Sequence, residues 1–188
     1  MATTIVCPVV QDYLNTDDCI ENFAGLGSTI YVFLKDDLST PLTMTDGLYS
    51  TPVFKSGKGL YKIECKDENQ QIEGESLGKK KGFKLTLNFT IDAVNKITAK
   101  IGRAINNLDL GYIVPDGADT QIMYDPQRKV KFDSGGIKGS TGKAASDDRK
   151  TDYTALLSPV MYQNLYVTDP TTGGWDSLLA SKSTVPAG

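Results

Sequence analysis

Between Phe83 and Asn107 the hydrophobic period changes from two to about 3.6 with hardly a linker between the two patterns. Phe83, Leu85, Leu87, Phe89 and Ile91 alternate with Lys84, Thr86, Asn88, Thr90 and Asp92, which is the pattern of a half-buried strand. Val94, Ile97, Ile101 and Ile105 then recur at three- and four-residue spacing, with Lys96, Lys100 and Arg103 on the other side and Asp92 placed to cap. A sheet backed by one helix follows. The chain therefore reads as mainly β, a β-sandwich or barrel with one flanking α-helix around 93–106 and long loops.

The remaining segments supply strands. Thr3 to Val10 is rich in β-branched residues and broken by Pro8, which suits an edge strand or an arm leaving the body, whereas 17–26 is ambiguous. Residues 28–34, Ser-Thr-Ile-Tyr-Val-Phe-Leu, make a core strand. Further strands are expected at 60–66, 70–77 and 108–114. A hairpin is expected from 120–124 and 129–133 about the turn Asp125-Pro126-Gln127-Arg128. Residues 135–150, rich in Gly, Ser, Lys and Asp, read as mobile in the isolated protein. One or two last strands fit in 153–168. The expected organisation is a single β-rich domain over 1–168, its N-terminal arm included, and a C-terminal tail over 169–188 whose large apolar residues are Trp175, Leu178 and Leu179.

Residues 38–59 carry Pro41, Gly47, Pro52, Gly57 and Gly59 among polar residues, so regular structure is not expected there. The same loop holds Leu42, Met44, Leu48, Tyr49, Val53 and Phe54. Either it folds back on its own core or these six side chains are covered by a neighbouring subunit, since long structureless loops in compact domains are usually functional. The six are candidate subunit contacts.

Composition removes much chemistry. The chain of 188 residues has no histidine, so the commonest general base near neutral pH and the usual Ser and Cys triads are missing. A net charge of -3 offers no large basic footprint for duplex nucleic acid. Cys7, Cys19 and Cys65 are odd in number and widely spaced, against a disulfide framework or a four-ligand zinc site and in keeping with a reduced compartment. No stretch reaches the roughly 18 apolar residues of a membrane span, so no membrane association is expected. Asp133-Ser134-Gly135-Gly136 matches a serine-protease nucleophile segment but has no histidine to take its proton. Ser140-Thr141-Gly142-Lys143 fits a Ser-x-x-Lys pattern, yet a lysine among glycines in a solvated loop keeps its proton. The same stretch fails as a phosphate loop because Ile137 and Ala144 stand where Gly and Ser or Thr are required. The paired aspartates at 17–18, 36–37 and 147–148 lack the alternating ligands of a calcium loop. No enzyme, cofactor or metal site is expected.

Lys79, Lys80 and Lys81 form the tight basic run. As a hairpin tip they would be simply solvated, and as an electrostatic contact they would face phosphates or the carboxylates of a neighbouring copy.

In layout the chain resembles the tail-tube (major tail) proteins of bacteriophages, which are related to the tubes of contractile tails and type VI secretion systems. The resemblance covers 22–168. It rests on Asn-Phe-Ala-Gly-Leu-Gly-Ser-Thr-Ile-Tyr-Val-Phe at 22–33, on Glu-Gly-Glu-Ser-Leu-Gly at 73–78 leading into the strand 82–92, on the helix to Asn107, and on a late strand from Tyr153. It implies a structural virion protein of the phage tail, assembled in the bacterial host cytoplasm as stacked rings of six copies. Its partners would be itself, other tail proteins, and double-stranded DNA passing through the lumen without sequence-specific binding. A modest negative charge suits such a channel, which must not grip phosphates. The alternatives are a head decoration or head-to-tail joining protein, or a carbohydrate-binding β-sandwich in which Tyr49, Tyr61 or Trp175 stacks on a sugar ring.

Overall fold

The computed structural model describes residues 26–66, 69–116, 119–144 and 147–180. The expected arm at 3–10, the ambiguous 17–25, and the end of the tail from 181 lie outside the described residues. The fold is mainly β, with two sheets and one α-helix among the described residues. In chain order the strands are β1 (Thr29–Leu34), β2 (Met44–Thr45), β3 (Leu48–Tyr49), β4 (Tyr61–Glu64), β5 (Gln71–Ser76) and β6 (Phe83–Ile91). Helix α1 (Lys96–Asn107) follows, then β7 (Leu110–Pro115), β8 (Thr120–Met123), β9 (Ile137–Ser140), β10 (Lys150–Val160) and β11 (Tyr166–Val167). The larger sheet has the order β2-β3-β11-β8-β7-β1-β4 and the smaller β5-β6-β10-β9.

The sheets face each other as a sandwich. Leu85, Leu87 and Phe89 of β6 and Tyr153, Ala155 and Leu157 of β10 are buried on the inner side, as their alternation requires. Phe89 stacks on Tyr153 with centroids 4.7 Å apart and meets Tyr112 of β7 at 6.3 Å, which joins the two layers. The other face of the larger sheet is also buried, by chain rather than by strands. Phe33 lies there between Phe54, at 6.0 Å, and Tyr124, at 5.8 Å, while Tyr49 meets Tyr124 edge-on at 5.4 Å and Tyr31 lies 6.4 Å from Trp175. The parts of 38–59 outside β2 and β3, with Phe54 on Phe33, and the segment 169–180, with Trp175 by Tyr31, thus cover this aromatic face, while β2 and β3 extend the larger sheet itself.

Four sequence expectations change here. First, α1 starts at Lys96 rather than 93, capped by Asn95 and not Asp92: Asn95 Oδ1 accepts from Ile97 N at 2.8 Å and Thr98 N at 3.0 Å, and Thr98 Oγ1 accepts from Asn95 N at 2.9 Å. Its buried residues are Thr98, Gly102 and Ile105, whereas Ile97 is 67% exposed. Second, the 125–128 turn forms, with Asp125 Oδ1 accepting from Gln127 N and Arg128 N at 2.8 Å, but 129–133 does not return along β8. Both edges of β8 are already taken, by β7 and β11, and Lys131 instead bridges Leu156 of the smaller sheet. Third, the glycine-rich 135–150 contains β9, which pairs antiparallel with β10 from Ile137↔Tyr153 to Ser140↔Lys150. Eleven-residue β10 offers a long edge, and that ladder outweighs the flexible composition. Fourth, 38–59 is not wholly irregular: β2 and β3 make a small hairpin through Asp46 and Gly47, both at positive φ.

The segment beyond 168 packs on the same core. Trp175 is buried, and its Nε1 donates to Asp169 Oδ1 at 3.1 Å and Thr120 Oγ1 at 3.3 Å. Tyr31 donates its hydroxyl to Asp176 at 2.7 Å, and Leu60 and Leu179 form a parallel bridge.

Candidate functional site

The six apolar residues of the 38–59 loop divide into two sets. Leu42 and Tyr49 are buried and Phe54 packs on Phe33, so these three belong to the core and not to a subunit contact. Met44, Leu48 and Val53 face solvent at 36%, 47% and 61% exposure. In the β2–β3 hairpin Met44 stands across from Tyr49 and Leu48 across from Thr45, so these two exposed side chains lie on opposite faces of the hairpin. Val53 edges a shallow groove of mixed polarity, lined by Pro52, Phe54, Leu178 and Leu179 and also by Lys58 and Ser177.

Lys79, Lys80 and Lys81 occupy the exposed turn between β5 and β6, and none has an ion-pair partner among the described residues. This turn and the apolar loop, separate candidates in the sequence, are brought to the same end of the molecule by the end of β10 and the 161–165 connection that follows it. Val160 O lies 2.5 Å from where a Cβ on Gly82 would sit, and the ring of Tyr162 lies 3.3 Å from the same point on Gly47. Met161, 70% exposed, stands between these contacts. Nothing in the sequence pattern of 158–165 signalled this role, because its meaning comes only from the two glycines against which it rests.

Among the described residues the smaller sheet has two edges without a partner strand, and they differ in chemistry; on β5 the Gly74 carbonyl accepts from Gln163 Nε2 at 3.4 Å. At one edge β5 carries exposed Glu73 and Glu75, and its inner side is backed by the 161–165 connection, with Gln163 O against Gly74. Glu75 meets Lys84 at 2.5 Å, and that ammonium holds its carboxyl below the usual range. At the other edge β9 carries exposed Lys138 and is backed by α1, where a Cβ on Gly102 would come into van der Waals contact with Ile137 and the Tyr153 hydroxyl. From Ala93 to Leu108 there is no carboxylate, and Lys96, Lys100 and Arg103 are exposed without ion-pair partners among the described residues. Arg149, which donates to Val94 O at 2.7 Å, adds a further cation on this side.

The outward face of the smaller sheet is polar. Cross-strand rows run Gln71, Asn88, Thr154 and Glu73, Thr86, Leu156, with Lys84 beside Glu75 and Thr90 beside Asp152. Thr154 donates to Asn88 at 2.9 Å and Thr90 to Asp152 at 2.7 Å, so part of the face is self-satisfied.

Among the described residues no group of His, Cys, Asp or Glu is placed to hold a metal ion, and no helix is long and apolar enough to cross a membrane. Ser140 and Lys143, weighed above as an enzyme motif, are exposed on β9 and in the turn after it. Of the three aromatics considered for sugar stacking, Tyr49 and Trp175 are buried in the aromatic layer and Tyr61 is exposed. Comparison with protein-family models, with curated proteins and with solved structures gives no match for this chain.

Proposed function

We propose that the chain is a structural subunit that joins copies of itself edge to edge into rings, and that it serves as the tail-tube subunit of a phage. The observation that supports this reading is the four-stranded sheet whose two edges, unpaired with any strand among the described residues, carry opposite charge, Glu73 and Glu75 on β5 and Lys138 on β9. Exposed strand edges carry unpaired N–H and C=O groups and invite pairing unless blocked. Strand direction alternates across this sheet, so β9 of one copy and β5 of the next meet antiparallel under a simple rotation. Such a contact is heterologous, and repetition of a heterologous contact by rotation closes a ring. Opposite charges fix which edge meets which.

In the closed ring the outward polar face of the sheet becomes the channel wall. Hydroxyls, amides and paired charges line it, without the dense ammonium array that would bind phosphates and impede DNA. The exposed loop residues and Lys79 to Lys81 are then free to meet the adjoining ring or another tail protein.

Light scattering and negative-stain microscopy across salt and concentration test the reading. Rings or tubes are expected. Glu73→Lys with Glu75→Lys should abolish them, as should Lys138→Glu, and combining all three substitutions should restore a measurable fraction. A protein that stays monomeric under every condition, or a virion map that puts the chain outside the tube, overturns the proposal.

A further inference from the structure

We infer that the edge contact has a single register, in which Gly139 of β9 pairs with Ile72 of β5 on the next copy and Lys138 stands across from Glu73, and that the side chain of Gln163 guards the β5 edge until β9 arrives. The inference rests on the edge-pairing reading above and supplies its register and its control. In an antiparallel ladder the N–H and C=O of one residue point to the same side, and successive residues point to opposite sides. Leu77 N donates to Gly82 O at 2.9 Å and Thr154 N to Gly136 O at 2.7 Å. Continued along the registers of the sheet, these bonds turn the backbones of Gln71, Glu73 and Glu75 toward β6 and those of Lys138 and Ser140 toward β10. The backbone groups of Ile72, Gly74 and Ser76 on β5, and of Ile137 and Gly139 on β9, therefore point out of the sheet. Among the described residues the one such group with a partner is the Gly74 carbonyl, which accepts from Gln163 Nε2 at 3.4 Å.

These groups admit β9 in steps of two residues, with Gly139 beside Gln70, Ile72 or Gly74. Charge chooses among the three. Beside Ile72, Lys138 stands across from Glu73 and Ser140 across from Gln71. Neither Lys138 nor Glu73 has an ion-pair partner among the described residues. Glu73 accepts from Gln71 Nε2 at 2.6 Å, and Asp152, across from Lys138 on β10, is engaged by the Thr90 hydroxyl at 2.7 Å and by Lys150 at 3.5 Å. Beside Gly74, Lys138 would meet Glu75, which Lys84 already holds at 2.5 Å, and Glu73 would face Ser140. Beside Gln70, Lys138 would face Gln71 and no carboxylate. Opposite charges directly across a ladder favour the Ile72 register. The Lys79–Lys81 turn lies past the end of this ladder, where 131–136 brings one ammonium, Lys131, and one carboxylate, Asp133, so it takes no part in the choice.

In this register the N–H of Ile137 has to reach the Gly74 carbonyl, the acceptor that Gln163 occupies. Gln163 is exposed, and its main chain lies so close over Gly74 that a Cβ there would fall 1.8 Å from Gln163 O, which keeps its amide at the edge. A bond of 3.4 Å from an exposed amide is long and easily exchanged, so it slows pairing without blocking it.

Gln71 and Ser140 are exposed and uncharged, and they stand directly across from each other in this register alone. A chain carrying Gln71→Cys and Ser140→Cys keeps every charge of both edges. Mild oxidation of its assembled particles should produce a ladder of covalent oligomers that neither the parent nor either single substitution gives. Particles that form and give no such ladder overturn the register while leaving edge pairing intact. Gln163→Ala should lower the concentration needed for assembly by about two- to tenfold, the range of one neutral hydrogen bond, at an unchanged melting temperature. An unchanged or higher concentration overturns the guard. Failure of the unmodified chain to assemble is a different outcome, because it removes the edge-pairing reading and this inference together.

Discussion

Gly111 has no side chain because Phe33 occupies the space: a Cβ there would lie 2.3 Å from Phe33 Cζ. Gly111→Ala should therefore destabilise the protein by about 1–3 kcal/mol through overpacking, read as a lower denaturant midpoint with unchanged slope. Trp175→Ala removes the lid over Tyr31 and should cost about 3–5 kcal/mol in the same measurement. Both effects were invisible in the sequence, where Gly111 is one residue of the strand expected at 108–114 and Trp175 is part of a tail. Neither residue belongs to a periodic pattern, and each has meaning only from a partner far along the chain. Ionisation shows the same dependence on distant partners. Asp176 is held below the usual carboxyl range by the Tyr31 hydroxyl and Lys62, Asp148 by Lys66, and Asp147 by the backbone N–H groups of Ala144 and Lys143. Depressed values in the folded state contribute stability that is present above the unfolded carboxyl value, near about 4, and lost as pH falls through the folded values. At the other extreme burial pushes the Tyr31 hydroxyl up to about 12 and the Cys65 thiol up to about 11. Their contribution is whole below the unfolded values and is lost as pH rises toward the folded ones. The melting temperature should accordingly be flat through neutral pH, fall below about pH 4, and fall again above about pH 9, where the unfolded thiol begins to ionise. Asp176→Asn should flatten part of the acid limb, and an unchanged limb would show that this contact carries no linkage.

At the scale of elements, β6 was legible almost to the residue because one face of it is buried and alternation survives intact from Phe83 to Ile91. Helix α1 was legible as a helix but not in its phase. Thr98 and Gly102 do not count as apolar in a periodicity reading, yet small side chains allow the close approach to Ile137 and Tyr153 that sets the buried stripe. Ile97 was assigned inward by its side-chain type and lies outward. The start of the helix was misplaced for a related reason, since Asp92 and Asn95 are both good caps and only the latter has Thr three residues later to complete the box. Asn95→Ala should cost about 1 kcal/mol, whereas Asp92→Ala should change stability little. Equal losses in the two variants would return the cap to Asp92. Strand β9 was missed because its Ile-Lys-Gly-Ser sequence has no strand propensity of its own, and its backbone is ordered by the edge of β10.

The described residues build the polar-faced smaller sheet, the larger sheet, and a cover of loop and C-terminal segment over the aromatic face. This arrangement reverses one consequence of the sequence reading. If the six apolar residues of the 38–59 loop were all subunit contacts, deleting 42–54 would leave a folded monomer unable to assemble. Leu42, Tyr49 and Phe54 instead cover Phe33 and Tyr124, so that deletion should abolish cooperative unfolding altogether. The assembly role therefore has to be probed on the side chains that point away from the core. Met44→Ser, Leu48→Ser and Val53→Ser together remove exposed apolar surface without opening a cavity, and surface changes of this kind typically shift stability by no more than about 0.5 kcal/mol each. The triple variant should keep the parent's melting temperature within a few degrees and require a higher concentration to form particles. Calorimetry and light scattering on one preparation separate the two effects. A folded deletion variant would mean that the loop is dispensable to the core. A triple variant that assembles like the parent would mean that these three side chains contribute nothing between copies.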